Sequence, residues 1–291
     1  MSDGFAMELC GNKAAWQIVP EGVTAIDLDA VGALIQASGY TVGIQTRLCW
    51  TFTGPCDLTL YPSGKLLVKT EDKELAREVA SLHTGQWAKV PVISDALVAR
   101  LEAGEVIAYP TSTLPGLATL PNSAALDALY HLKQRPATQP VSLGVHSLEQ
   151  ARQLVEVPSI AESLLAAFPQ GSMTLLLDAL QPLDARLGGS RVAVRVLAHP
   201  TARALVERVG PVTATSANAS GVEPLESSQA AGAELGLPPS SILEGVCPGG
   251  KGSTLASLTK DASHPSGYSV TIMREGVVPA NEVVSWMLKR V

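Results

Sequence analysis

Aromatic residues are scarce in this 291-residue chain: three Phe, four Trp and five Tyr, 4% in all. A surface that grips nucleic acid by stacking bases on rings needs more of them, which counts against that class of binder. Basic charge is also short, with 21 Lys and Arg against 27 Asp and Glu, a net charge of −6. A bulk electrostatic hold on RNA is therefore not expected, and a local cluster of cations reads as a site for a small anion. Only four cysteines occur, at positions 10, 49, 56 and 247, with no CxxC spacing. They predict reduced thiols and neither a disulfide framework nor a zinc site. The opening MSDGFAMELCG lacks a basic-then-apolar signal pattern, and no apolar run is long enough to cross a bilayer. The expectation is a cytoplasmic protein with no membrane partner.

Hydrophobic residues, by contrast, make up 46% of the chain, enough for a packed core built mainly from Ala, Val and Leu. Their periodicity separates two blocks. In residues 1–88, DLDAVGALIQASG reads as a helix with Asp27 or Asp29 at its start and Gly39 at its end. TVGIQTRLCWTF, CDLTLYP and KLLVKT then alternate as three strands, and EDKELAREVASL forms a second helix. This is a small α+β domain. In residues 89–291 helices alternate with strands. SDALVARLEAG and NSAALDALYHLKQR are helical; EVIAYP, VSLGV, MTLLLD, RVAVRV, PVTAT, STLASL and YSVTIM are strands. Ser147 with Gln150, and Ser159 with Glu162, have capping-box spacing. The pattern predicts an α/β fold, an open sheet flanked by helices.

Ligands of such sheets gather where strands give way to loops. Four strand or helix ends carry candidate chemistry. Thr111, Ser112 and Thr113 follow a strand and precede Gly116. Lys133 and Arg135 flank the end of a helix before Pro136, where the chain turns extended and both cations reach one anion. In RVAVRVLAHP the valines 192, 194 and 196 take one face and Arg191, Ala193 and Arg195 the other. A buried Arg195 requires a carboxylate of the protein or a bound phosphate. Thr215, Ser216 and Asn218 form a loop of hydroxyl and amide groups suited to a carboxylate, sugar or phosphate oxygen. Taken singly, each of these has a plain alternative as a turn or helix cap. Gly249-Gly250-Lys251-Gly252-Ser253-Thr254 is not a Walker loop, because Gly252 separates Lys from Ser. His131, His146, His199 and His264 show no metal-ligand spacing.

Together these pieces resemble the YrdC/Sua5 family of threonylcarbamoyl-AMP synthases. YPTSTLPGL is similar to the family's YPTDT-x-YGL, KQRP to K-x-RP and FPQGSMTLLL to PGP-x-T. VAVRVLAHP, TATSANASG, GGKGST and MREG follow in the family's order. The resemblance implies a twisted open YrdC-like sheet and an L-threonylcarbamoyladenylate synthase. Such an enzyme makes threonylcarbamoyl-AMP and pyrophosphate from ATP, bicarbonate and L-threonine, for modification (t6A) of tRNA adenosine 37. It implies Lys133 and Arg135 as catalytic residues, and ATP held by them with Arg195, Thr215, Ser216 and Asn218. The amino-acid end would fall to Thr111, Ser112, Thr113, Thr174, Arg195 and Ser216. Mg²⁺ would lean on the nucleotide for ligands, no protein metal site being expected, and tRNA or a downstream t6A transferase is a possible partner. Ser112 and Pro115 stand where the family commonly has an acid and Tyr. That leaves room for a paralogue with another carbamoyl acceptor or donor, and a non-catalytic RNA-binding homologue is the further alternative. No role for residues 1–88 follows from the resemblance.

Overall fold

The computed structural model describes residues 4–11, 14–23, 25–88 and 93–289. The chain divides into two compact units, Met1–Pro91 and Val92–Val291. The expected junction at 88/89 abuts residues 89–92, which lie outside the described residues.

In the first unit β1 (Phe5–Leu9) and β2 (Trp16–Pro20) form a hairpin, followed by α1 (Leu28–Ala37). Then come β3 (Thr41–Gln45), β4 (Trp50–Thr53), β5 (Asp57–Leu60), β6 (Leu66–Lys69) and α2 (Lys73–Leu82). The sheet has six strands in the order β1-β2-β6-β5-β4-β3, every neighbouring pair antiparallel. The periodicity reading is corrected twice here. Phe5–Leu9 and Trp16–Pro20 pair as strands that the sequence reading left out, and TVGIQTRLCWTF is two strands. Thr46 breaks it: its hydroxyl accepts from the N–H of Leu48 and Cys49, both at 3.2 Å, and donates to the Cys49 carbonyl at 3.0 Å. A side chain that satisfies backbone groups locally makes a turn cheaper than a continued strand. Asp27 and Asp72 cap the two helices, each accepting two N–H bonds. Alternation puts Trp50, Phe52, Leu58, Leu60, Leu66 and Val68 on one face, in a core shared with Ile35 and Val79 of the helices.

The second unit begins with α3 (Asp95–Glu102), capped by Ser94, and the short strands β7 (Ile107–Tyr109) and β8 (Gly116–Ala118). Next are α4 (Ser123–Lys133), β9 (Ser142–Val145), α5 (Leu148–Ala151), α6 (Ser159–Ala166), β10 (Met173–Asp178) and β11 (Arg191–Val196). The chain continues through α7 (Pro200–Val209), β12 (Val212–Ser216), α8 (Ser228–Glu234), β13 (Thr254–Lys260), β14 (Tyr268–Arg274) and α9 (Ala280–Leu288). They build a mixed eight-stranded sheet in the order β14-β13-β10-β11-β9-β12-β8-β7. Leu175, Leu177, Val192 and Val194 pack in one core with Leu126 and Leu129 of α4, Leu164 of α6 and Val283 of α9. That leaves the opposite face of the central strands for another purpose. Ser147 caps α5 as expected, its hydroxyl taking the Gln150 N–H at 3.2 Å. Ser159 does not cap α6. The Pro158 carbonyl accepts from Ala161 and starts the helix one residue earlier, and Glu162 instead meets Arg152 at 3.0 Å.

Gly32 of α1 lies over Trp50, and a Cβ there would come 2.5 Å from one ring carbon and 3.0 Å from another. Gly32→Ala gains about 1 kcal/mol of helix propensity but forces a buried indole to move. We expect a net loss of roughly 1–2 kcal/mol, read as a lower urea midpoint for the first unit; an unchanged or raised midpoint would contradict the packing described.

Candidate functional site

Across the second unit's sheet, register aligns mostly small residues. Ala193 of β11 pairs with Leu176 of β10, Ala214 of β12 with Ser142 of β9, and Ser216 with Gly116 of β8. This row is the floor of a cleft of about 660 Å³. Large residues there would fill it: a Cβ on Gly116 would already press the Tyr109 ring at 2.8 Å. The cleft walls carry Arg135, Arg191, Arg195, Lys251 and Arg274; Arg191 pairs with Asp178 at 3.1 Å and Lys251 with Glu275, which leaves Arg135, Arg195 and Arg274 in excess. In a protein of net charge −6 that concentration of cations is local, and it selects for an anion.

Arg195 lies at the centre and is only 7% exposed. Its Nε donates to the Gly171 carbonyl at 2.8 Å, and its Nη2 to the hydroxyls of Thr113 at 3.0 Å and Ser112 at 3.3 Å. Among the described residues no carboxylate pairs with it. Burial pushes its pKa down to about 10, with Arg274 acting in the same direction. Of the two partners that the sequence allows, the protein supplies no carboxylate. Gly171 makes this arrangement possible: its φ is +72°, and a side chain there would collide with the Ser112 hydroxyl. Thr111 braces the loop, donating to the Leu114 carbonyl at 2.7 Å and accepting the Thr113 N–H at 3.1 Å.

The end of α4 separates the two cations of KQRP. Gln134 is left-handed (φ 50°), the only non-glycine residue with positive φ among those described. After that turn, Arg135 lines the cleft, its guanidinium donating to the carbonyls of Gln139 at 2.8 Å and Pro140 at 3.0 Å. Lys133 points elsewhere. It is 1% exposed, and its ammonium donates to the carbonyls of Ser216 and of Asn218, the latter at 2.6 Å. Burial, then the neighbouring Arg135 charge, lowers its pKa to about 8.

Of the residues singled out in the sequence, Thr111, Thr113, Arg135, Arg195, Thr215 and Ser216 line the cleft. Ser112, Lys133, Thr174 and Asn218 do not, but each is bonded to a residue that does. Ser112 touches Arg195, Lys133 and Asn218 touch Ser216, and Thr174 meets Ser253 at 2.7 Å. Sequence reasoning left out Arg191, Ser253, Lys251 and Arg274 as site residues. Arg191 shares the Arg195 face by strict alternation, a usable signal. Lys251 and Arg274 sit in GGKGST and MREG, motifs noted without a role. Arg274 donates to the Ser253 carbonyl at 2.9 Å and Lys251 meets Glu275 at 3.2 Å, which joins the two segments at the cleft wall. No group of three or more His, Cys, Asp or Glu among the described residues is arranged to hold a metal ion.

An open mixed sheet with a cationic cleft on the face opposite α4, α6 and α9 suits an anion-binding α/β protein, and comparison with known proteins narrows the class. The Sua5/YciO/YrdC family model, described as telomere recombination, matches residues 99–276. The chain belongs to that family. A threonylcarbamoyl-AMP synthase of Photobacterium profundum is 31% identical over 62% of this chain and 97% of its own length. One of Bacillus subtilis is 38% identical over 45% of this chain, which spans only 39% of that relative. Among solved structures, P. abyssi Sua5 complexed with L-threonine superposes with a TM-score of 0.57 at 26% identity, over 69% of this chain and 60% of that one.

A buried guanidinium with no carboxylate is a cost to the folded state that a neutral side chain avoids. Arg195→Met is expected to raise ligand-free stability by about 1 kcal/mol in urea melts and to abolish the further stabilisation given by AMP together with L-threonine. A variant that this pair still protects as well as it protects the wild type would show that Arg195 does not meet the anion.

Proposed function

We propose that the chain is an L-threonylcarbamoyladenylate synthase acting on ATP, bicarbonate and L-threonine. The observation that carries this reading is the cleft itself, five cations of which only two meet a carboxylate, over a floor of mostly small residues, on the fold of this family. Carboxylation of the threonine amine by bicarbonate gives a carbamate and releases water. A carbamate oxygen then attacks the α-phosphorus of ATP, the bond to the β-phosphate's bridging oxygen breaks, and pyrophosphate leaves. In such a displacement negative charge gathers on the departing pyrophosphate, so fixed cations around it stabilise the transition state.

In this reading Arg135, Lys251 and Arg274 neutralise the polyphosphate, with Arg able to bind two oxygens at once and Lys acting as a point charge. Arg195, Thr111 and Thr113 hold the amino acid's carboxylate or the α-phosphate, and Thr215 and Ser216 bond the nucleotide. Mg²⁺ would arrive on the triphosphate and take its ligands from phosphate oxygens and water; Glu275 is the only carboxylate on the cleft wall. Threonine is favoured as acceptor by the relatives' names and by the solved threonine complex. The product would serve the t6A modification of tRNA, which makes tRNA or a transferase the expected downstream partner. For direct RNA binding through this cleft there is little support, since its one lining aromatic, Tyr109, is fully buried. No described helix is long and apolar enough to cross a membrane, in keeping with work in the cytoplasm.

Mass spectrometry of the products from ATP, bicarbonate and mixed amino acids tests the reading. Threonylcarbamoyl-AMP with matching pyrophosphate release is expected, and Arg135→Ala should lower kcat/KM roughly 10²–10³-fold. Absence of any adenylate from the wild type, or full turnover in the variant, would contradict it.

A further inference from the structure

We infer that Lys133 is a positioning residue: its ammonium shapes the Ser216–Asn218 turn from behind, and this wall of the cleft keeps its form only while Lys133 is charged. The inference rests on the cleft being the nucleotide site and assigns Lys133 a different task from Arg135, two residues away.

An ammonium has three N–H donors and no acceptor. Here it meets three oxygens, the carbonyls of Ser216 and Asn218 (the latter at 2.6 Å) and Asn218 Oδ1 at 3.4 Å. Binding a phosphate oxygen directly would require one of these bonds to break. The side chain is 1% exposed and does not line the cleft. Its own backbone joins the arrangement, since the Lys133 carbonyl accepts the Ser220 N–H at 3.0 Å. The turn is otherwise tied to itself: the Ser216 hydroxyl donates to Asn218 Oδ1, and the Asn218 amide donates to the Val222 carbonyl. From the cleft side, Ala217 N–H reaches the Pro115 carbonyl at 2.7 Å. Lys133 thus gathers carbonyl oxygens that would otherwise face one another without a donor between them.

The charge state matters because a neutral amine has only two N–H donors and binds carbonyls less strongly than an ammonium. The charged group that acts on Lys133 is Arg135, of like sign, and no carboxylate pairs with it among the described residues. Burial and that repulsion lower its pKa to about 8. Below that pH the ammonium is present and the turn is held; as pH rises through it the proton leaves and the turn loosens.

The test uses the ligand-free protein first. In a sample labelled at lysine Nζ and at backbone amides, NMR from pH 6 to 10 follows Lys133 and residues 216–218 together. The amides of Ser216, Ala217 and Asn218 are expected to shift with the same midpoint as Lys133. Amides that stay put while the ammonium titrates would overturn the inference. The second arm measures ATP binding by wild type and by Lys133→Arg. An Arg serving as a direct phosphate ligand would keep affinity within a few-fold, whereas a planar guanidinium in a cage of carbonyls is expected to lower it at least tenfold. Retained affinity in Lys133→Arg would therefore also count against the inference. If wild type fails to bind ATP at all, the nucleotide reading of the cleft falls, while the ligand-free titration still decides what Lys133 does.

Discussion

The second unit is organised around positive charge that is buried without a carboxylate to meet it. Arg195 is enclosed by the sheet and two loops and is satisfied by one carbonyl and two hydroxyls. Lys133 is enclosed by three amide oxygens. Hydrogen bonds of this kind fill donors but leave the net charge in place, so desolvation is only partly offset. A fold tolerates that cost where an anion binding at the same place returns it, and Arg195 lies in the cleft, on the face of the sheet opposite α4, α6 and α9. The floor of Ala, Ser and Gly side chains follows from the same requirement, since a ligand must come close to the strands to meet Arg195.

Much of this was legible in the sequence. RVAVRV alternates so strictly that the valines had to enter the core and Arg191, Ala193 and Arg195 had to share the other face, as they do. The caps Ser94 and Ser147 and the helix end at Gly104 (φ +83°) were equally readable, because each has a local physical cause. What escaped was decided either by elements at the sheet edge or by contacts distant in sequence. The strands Phe5–Leu9 and Trp16–Pro20 lie at one edge of their sheet, where apolar residues such as Leu9 and Val19 stay exposed and blur the alternation. Thr46 splits an apparently continuous strand through its own hydroxyl. The pair in KQRP seemed aimed at one anion, but the left-handed Gln134 sends its members apart, and glutamine does not signal positive φ as glycine or asparagine does. Lys251 and Arg274 reach the cleft only because β13 and β14 bring their loops back to β10.

Ser112 illustrates how a departure from the family's usual pattern acquires physical meaning. Its hydroxyl lies 3.3 Å from Arg195 Nη2. A carboxylate at that distance would pair with the guanidinium and cancel much of its field, whereas a neutral hydroxyl leaves the charge available to a bound group. The cleft around Arg195 therefore carries more positive charge than it would with an acid at that position.

The account stands or falls on charge, which a ligand series measures directly. Binding of adenosine, AMP, ADP and ATP to the intact chain should be compared by calorimetry at fixed, low salt. Affinity is expected to climb with each phosphate and to fall steeply for ATP as salt is raised. Adenosine binding as tightly as ATP, with no dependence on salt, would contradict it.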